Sequence, residues 1–408
     1  MTLVIMIMSL VIIGRLAYYC GRLVEYVKLP SLIGMMLFGM LIGPAFFNLV
    51  PEDTLTLAPT LKDIALVAVL FIGGLGISLS QMKQIGRPAI LLSAVPATLE
   101  GFTIALMSMW LLNFTFIQGA ILGFIIAAVS PAVLIPSMID LINRRVGQDK
   151  AIPQMLLVGA SADDTIAITL FTTFLGIYMQ DISGGNISVP MQLLIIPISI
   201  ILSLGVGFLV FKISKPLIES VSNSYGKVIL AFGICLIMRS IEKYLHLDIF
   251  NSLLTVMIYG FFIRNYINSS SQLILDKMNA IWKTGKLYLF AFVGMAINPA
   301  LVGEFFLIGV SILSISLFVR SIGVLISLIG TNLSWKERIF CIIAYLPKAT
   351  VQSAKAAIPL QMGVVGGEIM QAIAILSVLI TAPIGAIGIK LTSDKFLHIE
   401  PSSNELTA

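Results

Sequence analysis

Apolar runs of at least about 18 residues recur from one end of this chain to the other, and they limit the fold more than any single motif. A run of that length crosses a roughly 30 Å hydrocarbon core as an α-helix. Within that core every backbone polar group must be satisfied by the protein, which leaves helices or closed barrels. The period-2 alternation of barrel strands is absent, so the expected class is an all-α polytopic membrane protein. Composition agrees: 58% of the 408 residues are hydrophobic and 11% are charged, against about 25% charged in ordinary soluble domains. The mean hydropathy is +1.04.

Punctuation between the runs gives thirteen spans, near residues 3–26, 30–50, 62–80, 89–112, 116–140, 153–179, 188–212, 226–243, 249–267, 285–300, 303–329, 338–360 and 368–392. The first lacks a basic start and a small-residue cleavage site, so it reads as a retained span rather than a signal peptide. The stretch "SSSQLILDKMNAIWK" (269–283) is too short and too polar to cross, and is expected along the membrane interface. Residues after Thr392 are mostly polar and are expected to form a short, disordered cytoplasmic tail, 393–408.

The basic residues follow this count. Connections after the odd-numbered spans hold eighteen Lys and Arg, among them Lys83, Arg87, Arg144, Arg145 and Lys150, whereas the even-numbered ones hold two, Lys62 and Lys243. Cytoplasmic loops are the basic ones, which predicts an outside N-terminus and a cytoplasmic C-terminus, in a plasma membrane of bacterial type. Topology thereby accounts for the net charge of +5 without a nucleic-acid partner. The cysteines, Cys20, Cys235 and Cys341, fall in separate spans without metal-ligand spacing. The two histidines, His246 and His398, sit near span ends, which excludes an intramembrane histidine relay.

Five basic residues, Arg15, Arg239, Arg320, Lys348 and Lys355, and three acids, Glu100, Asp163 and Asp164, are left inside spans. A charge at mid-membrane costs at least a few kcal/mol, so such residues face a bundle interior or an aqueous cavity and mark a pathway. Arg15 and Arg239 suit packing or snorkelling roles. Arg320 cannot carry an exchanged proton, because guanidinium keeps its charge. Its expected role is a structural ion pair with Glu100.

Two spans contain proline where a helix should be continuous. "AAVSPAVLIPSM" (127–138) carries Pro131 and Pro136, and "AYLPKATVQSAKAA" (344–357) carries Pro347. Each proline frees the carbonyl four residues earlier, here Ala127, Ala132 and Ile343. In a membrane such a carbonyl survives only against protein or an aqueous cavity. Interrupted helices in corresponding positions of two halves point to a transport site between them. An offset of seven spans maps spans 4–6 onto 11–13 with inverted topology. Lys348 is expected to compensate the half-helix dipole of the second interrupted span, and Lys355 to extend the polar lining.

Asp163 and Asp164 lie in span 6, about as deep as Pro131. Neighbours on a helix point about 100° apart, so two carboxylates flank a small site without facing one another. Hard cations take oxygen ligands. Asp164 is the first choice as ligand for a small monovalent cation, Na⁺ or Li⁺, with Asp163, the Ser130 hydroxyl and a carbonyl at Ala127 or Val129 as further candidates. Neighbouring acids in a low-dielectric site titrate as a coupled pair, so a proton competes with a cation for the same oxygens.

The motifs "AVSPAVLIPSM" (128–138), "GASADDTIAI" (159–168), "LFVR" (317–320) and "LPKATVQSA" (346–354) resemble those of the cation:proton antiporter superfamily, specifically its NHA-type sodium/proton branch. The resemblance covers roughly residues 20–395. It implies a homodimer of thirteen or fourteen transmembrane helices, with an NhaA-like six-helix inverted repeat and two crossing discontinuous helices. It also implies a dimerisation domain, mainly spans 1–3 and 8–10, and an ion-transport core, mainly spans 4–6 and 11–13, that moves like an elevator. By the same resemblance Asp164 is the principal ion ligand, Asp163 its partner, Glu100 and Arg320 a charged pair, and Lys348 the lysine of the second broken helix. Many two-aspartate members carry a lysine, assigned a part in proton coupling, where this chain has Arg320. No cofactor is implied, only transported cation and proton.

Rival readings are weaker. Intramembrane aspartyl proteases bring two acids face to face from different helices, which adjacent positions do not allow, so an enzyme is not expected. A K⁺/H⁺ antiporter, a sodium-coupled symporter and a cation channel of the same fold remain as alternatives.

Overall fold

The computed structural model describes residues 2–26, 30–183, 189–245, 250–296, 303, 305–349, 352, 355–356 and 358–399 (side chains of 2, 3, 81, 82, 84, 165, 180–183, 189–196, 268 and 269 excepted). His246, part of the second interrupted span (350, 351, 353, 354 and 357) and the last residues, 400–408, lie outside the described residues. Helices account for nearly all of it. The one β feature among the described residues is an isolated antiparallel bridge, Val146 with Ile399.

The chain forms two compact units. The first comprises residues 1–78 and 198–300. It holds α1 (Thr2–Tyr26), α2 (Ser31–Ile42), α3 (Glu52–Leu55), α4 (Ala58–Leu75), most of α9 (Val189–Ser220), α10 (Ser224–Tyr244), α11 (Ser252–Tyr266) and α12 (Asn268–Met295). Here α12 packs on α2 and α4, and α4 on α11. Small residues let these backbones close: a Cβ on Gly39 or Gly294 would fall on the carbonyl of Ala291 or Met36 across the α2–α12 contact, the device by which membrane helices associate.

The second unit comprises residues 79–197 and 301–408. It holds α5 (Leu79–Leu111), α6 (Phe116–Ile126), α7 (Pro131–Asn143), α8 (Ile152–Ser183), α13 (Phe306–Ser327), α14 (Trp335–Ala344), α15 (Ile358–Gln361) and α16 (Gly367–Phe396). Helix α5 packs against α13, α8 and α6, and α16 against α14. The stretch Phe116–Asn143, which contains the first interruption, is almost wholly buried.

Length and apolarity mark nine helical stretches among the described residues as able to cross a membrane. The remaining expected spans fall on α2 and α11, which are short, on α12, which carries charges, and on α14 with its irregular continuation.

Two expectations are corrected. Residues 269–283 do not form a separate interfacial helix: they are the first half of the continuous α12. Their apolar positions recur every four residues, and Ile274, Met278 and Trp282 are buried, so one stripe packs inward while the polar face stays out. Residues 393–399 are not disordered either. Helix α16 runs to Phe396, Leu397 is buried, and the Gly147 N–H donates to the His398 carbonyl at 2.7 Å.

Candidate functional site

Both interrupted spans begin with the same device. Thr115 caps α6 and Ser334 caps α14, each in a capping box, with Gln118 and Glu337 as the returning side chains. These half-helices are 11 and 10 residues long. A fixed start and a proline-dictated stop leave each terminating inside the unit.

The first stops at Ala127, and the chain stays irregular to Ser130 before Pro131 opens α7. Proline is favoured at a first helical position, since its missing N–H would have had no helical partner there. Pro136 does not interrupt anything: α7 continues through it to Asn143, so its assignment to the discontinuity is corrected. One lost hydrogen bond is tolerated because that helix is held by packing, with Val133, Leu134 and Ile135 fully buried. The second half-helix stops at Ala344, and the backbone is irregular from Leu346 to Ala349 around Pro347.

The two irregular segments meet. The Ser130 N–H donates to the Pro347 carbonyl at 2.8 Å. Gln352 reaches across, its Nε2 donating to the carbonyls of Ile126 (3.1 Å) and Ala128 (2.8 Å) while its Oε1 accepts from the Ala349 N–H. The Lys348 N–H donates to Thr381 Oγ1 on α16. Backbone groups stranded in a membrane interior must find partners, and these side chains supply them.

Arg320, fully buried on α13, ties both half-helix ends. Its Nε donates to the Tyr345 carbonyl at 2.7 Å, and its Nη1 to the Ala127 carbonyl and to Glu100 Oε2, each at 2.5 Å. Lys348 Nζ donates to the same Glu100 oxygen (2.6 Å) and to Ala127 (3.2 Å). Two cations thus lie at the negative C-terminal end of α6, where helix dipoles favour positive charge. Both pairs are buried, so Glu100 is shared by Arg320 and Lys348.

This geometry revises two sequence-based assignments. Ala127 was expected to offer its carbonyl to a cation, but Arg320 and Lys348 occupy that oxygen. Lys348 compensates the α6 end rather than its own span's, because its amine crosses to Ala127. The Val129 N–H donates to Asp163 Oδ2 at 2.6 Å.

That bond fixes Asp163 against the break. The same Oδ2 lies 3.7 Å from Arg320 Nη2. Asp163 is fully buried and Asp164, next along α8, is half-buried. Asp163 Oδ1, Asp164 Oδ1 and Ser130 Oγ are buried oxygens with no hydrogen-bond partner among the described residues. Lys355 Nζ lies 5.8 Å from the Phe171 ring centroid. Arg239 belongs to the first unit, where it pairs with Glu242 (2.5 Å) and Asp63 (3.2 Å).

Gln352, Thr381 and Tyr345 are neutral, so charge inside a span does not single them out in the sequence. Gln352 lies inside "LPKATVQSA", five residues after Pro347, which places an amide close to the second break in sequence. The capping boxes "TFIQ" (115–118) and "SWKE" (334–337) were also readable.

A family model for the transmembrane sodium/hydrogen exchanger matches residues 7–395. Sodium/hydrogen exchanger 9B2 of Xenopus tropicalis is 30% identical over 398 residues, covering 93% of this chain and 72% of that protein. Human sodium/hydrogen exchanger 9B1 is 27% identical over 417 residues, with 98% and 80% covered. In fold the chain is similar to the sodium proton antiporter MjNhaP1 from Methanocaldococcus jannaschii at pH 8, with a TM-score of 0.72 at 22% identity, covering 97% of this chain and 96% of that one. These vertebrate and archaeal relatives lend nothing to the expected bacterial type of membrane.

Proposed function

The chain belongs to the transmembrane sodium/hydrogen exchanger family, and from that membership we propose that it exchanges Na⁺ or Li⁺ for H⁺ at Asp163 and Asp164. It is an integral membrane protein whose family transports rather than catalyses. The observation that carries the site is that Asp163 Oδ1, Asp164 Oδ1 and Ser130 Oγ, all beside the first break, are among the buried oxygens without hydrogen-bond partners among the described residues. A hard cation takes such oxygens, and a proton on a carboxylate removes the charge that holds the cation.

Asp164 serves as the main ligand and Asp163 as the coupled partner. The support is asymmetric: one Asp163 oxygen is committed to the Val129 N–H, which sets its orientation. Glu100, Arg320 and Lys348 do not carry cargo. They close the half-helix ends, and because one carboxylate faces two cations the trio keeps one positive charge, which Arg320 places 3.7 Å from Asp163. The second unit (79–197 and 301–408) is the ion-carrying core, built from an inverted repeat of spans 4–6 and 11–13, and it moves in an elevator-like manner. The first unit (1–78 and 198–300) is the dimerisation domain of a homodimer. Thirteen crossings place the N-terminus outside, as the basic residues indicate.

The test is a current and pH measurement on proteoliposomes, with Na⁺, Li⁺ and K⁺ presented in turn. Proton efflux driven by Na⁺ or Li⁺ is expected. Cation conductance without proton movement overturns exchange, and proton movement driven by K⁺ alone overturns the choice of ion.

A further inference from the structure

Away from the crossing, the second unit has a cavity of about 270 Å³ lined by Arg87, Lys150, Ile329, Gly330, Thr331 and Asn332, among others. It lies where the start of α5, the α7–α8 loop and the α13–α14 connection converge. The adjoining segments carry Lys83, Arg87, Lys150, Lys336 and Arg338 against two acids, Asp149 and Glu337. Glu337 is already engaged, since both its carboxylate oxygens accept from Lys150 at 2.8 Å. Arg338 is also committed, to the carbonyls of Leu333 and Thr331. Arg87 is not: it is exposed, and its contact to the Ile329 carbonyl is 3.5 Å, the outer limit of a hydrogen bond.

Apolar surface leads to the cavity mouth. Along α13 the side chains of Phe318, Ile322 and Ile326 are exposed at helical spacing, and the row ends at Ile329, a cavity residue that is 59% exposed. Trp335, at the first position of α14, is 72% exposed. Tryptophan at a helix end marks the headgroup level of a bilayer. An arginine over a small cavity, an apolar row leading into it and an interfacial tryptophan beside it match one amphiphile.

We infer that this cavity binds the phosphate headgroup of an anionic phospholipid, with Arg87 on the phosphate and an acyl chain along Phe318, Ile322 and Ile326. Arginine matches phosphate oxygens in a bidentate manner. The volume lies just below the roughly 300 Å³ at which small-molecule pockets begin, which suits a headgroup and not a nucleotide. The site is independent of Asp163 and Asp164, so it stands or falls apart from the exchange reading.

Native mass spectrometry of the purified full-length protein, with phosphatidylglycerol and phosphatidylcholine supplied in equal amounts, tests this. Preferential retention of phosphatidylglycerol is expected, falling about five-fold in Arg87→Gln, since a basic residue near an anionic surface contributes roughly 1 kcal/mol. Arg87→Lys should recover part of it. Asn332→Asp, an exposed isosteric change that places negative charge at the cavity, should lower retention similarly and guards against misfolding of the arginine variant. Unchanged preference in both Arg87→Gln and Asn332→Asp overturns the proposal. So does loss of bound phosphatidylglycerol to millimolar inorganic phosphate, which would make this a free-anion site.

Discussion

The Ser130 N–H donates to the carbonyl of Pro347 at 2.8 Å, joining the irregular segment of one interrupted span to that of the other. Neither segment has helical partners for its backbone there, so each completes the other. The contact stands one residue from Val129, whose N–H holds Asp163. Movement of either break is thereby transmitted to the carboxylate pair.

Asp164→Asn should abolish Na⁺-driven proton movement in proteoliposomes, because it removes both the ligand charge and the titrating group. Asp163→Asn should impair it severely while leaving the amide contact at Val129 partly satisfied by its side-chain oxygen. Full transport by Asp164→Asn would sink the site assignment.

Glu100 is shared by two buried cations, so its loss should exceed the loss of either. Glu100→Gln leaves Arg320 and Lys348 together with Asp163, 3.7 Å from Arg320, as their nearest acid; removing one partner of a buried ion pair costs about 3–5 kcal/mol. Arg320→Gln leaves Glu100 still paired with Lys348 and should cost less. The double variant Glu100→Gln/Arg320→Gln should be milder than Glu100→Gln alone. Thermal melting of the three variants in one detergent checks the order, and additive losses would show that the groups act independently.

Gln352→Leu should strand the carbonyls of Ile126 and Ala128, at about 1–3 kcal/mol for each buried unsatisfied group. A shifted break misplaces Ser130, so the apparent KM for Na⁺ should rise. Gln352→Glu keeps the acceptor for Ala349 but loses the donor, and should behave like the leucine variant. An unchanged KM in both would remove Gln352 from the site.

Gly385, on α16, faces Pro347 so closely that a Cβ would collide with the proline ring. A ring has no rotamer to yield, so the backbone of the break must shift. Gly385→Ala should therefore retain helical content by circular dichroism while transport falls steeply. Wild-type transport would show that the break tolerates displacement.

Much was legible from sequence. Apolar run length fixed the helical membrane class, and Pro131 and Pro347 marked the two interruptions, because proline acts on its own turn whatever surrounds it. Asp163 and Asp164 stood out because charge in hydrocarbon needs a reason. Partner choice was not legible. The sequence shows that Pro131 frees the Ala127 carbonyl, but only the packing of α5, α13 and α14 hands that oxygen to Arg320 and Lys348 instead of a cation. Likewise Gln352 carries no charge and no periodic signature, and its role exists only because the two breaks come within reach of one amide. Local covalent constraint and the energetics of burial are written in the chain; which group satisfies which depends on distances between residues far apart in sequence, 248 positions for Lys348 and Glu100, and only the tertiary structure sets those.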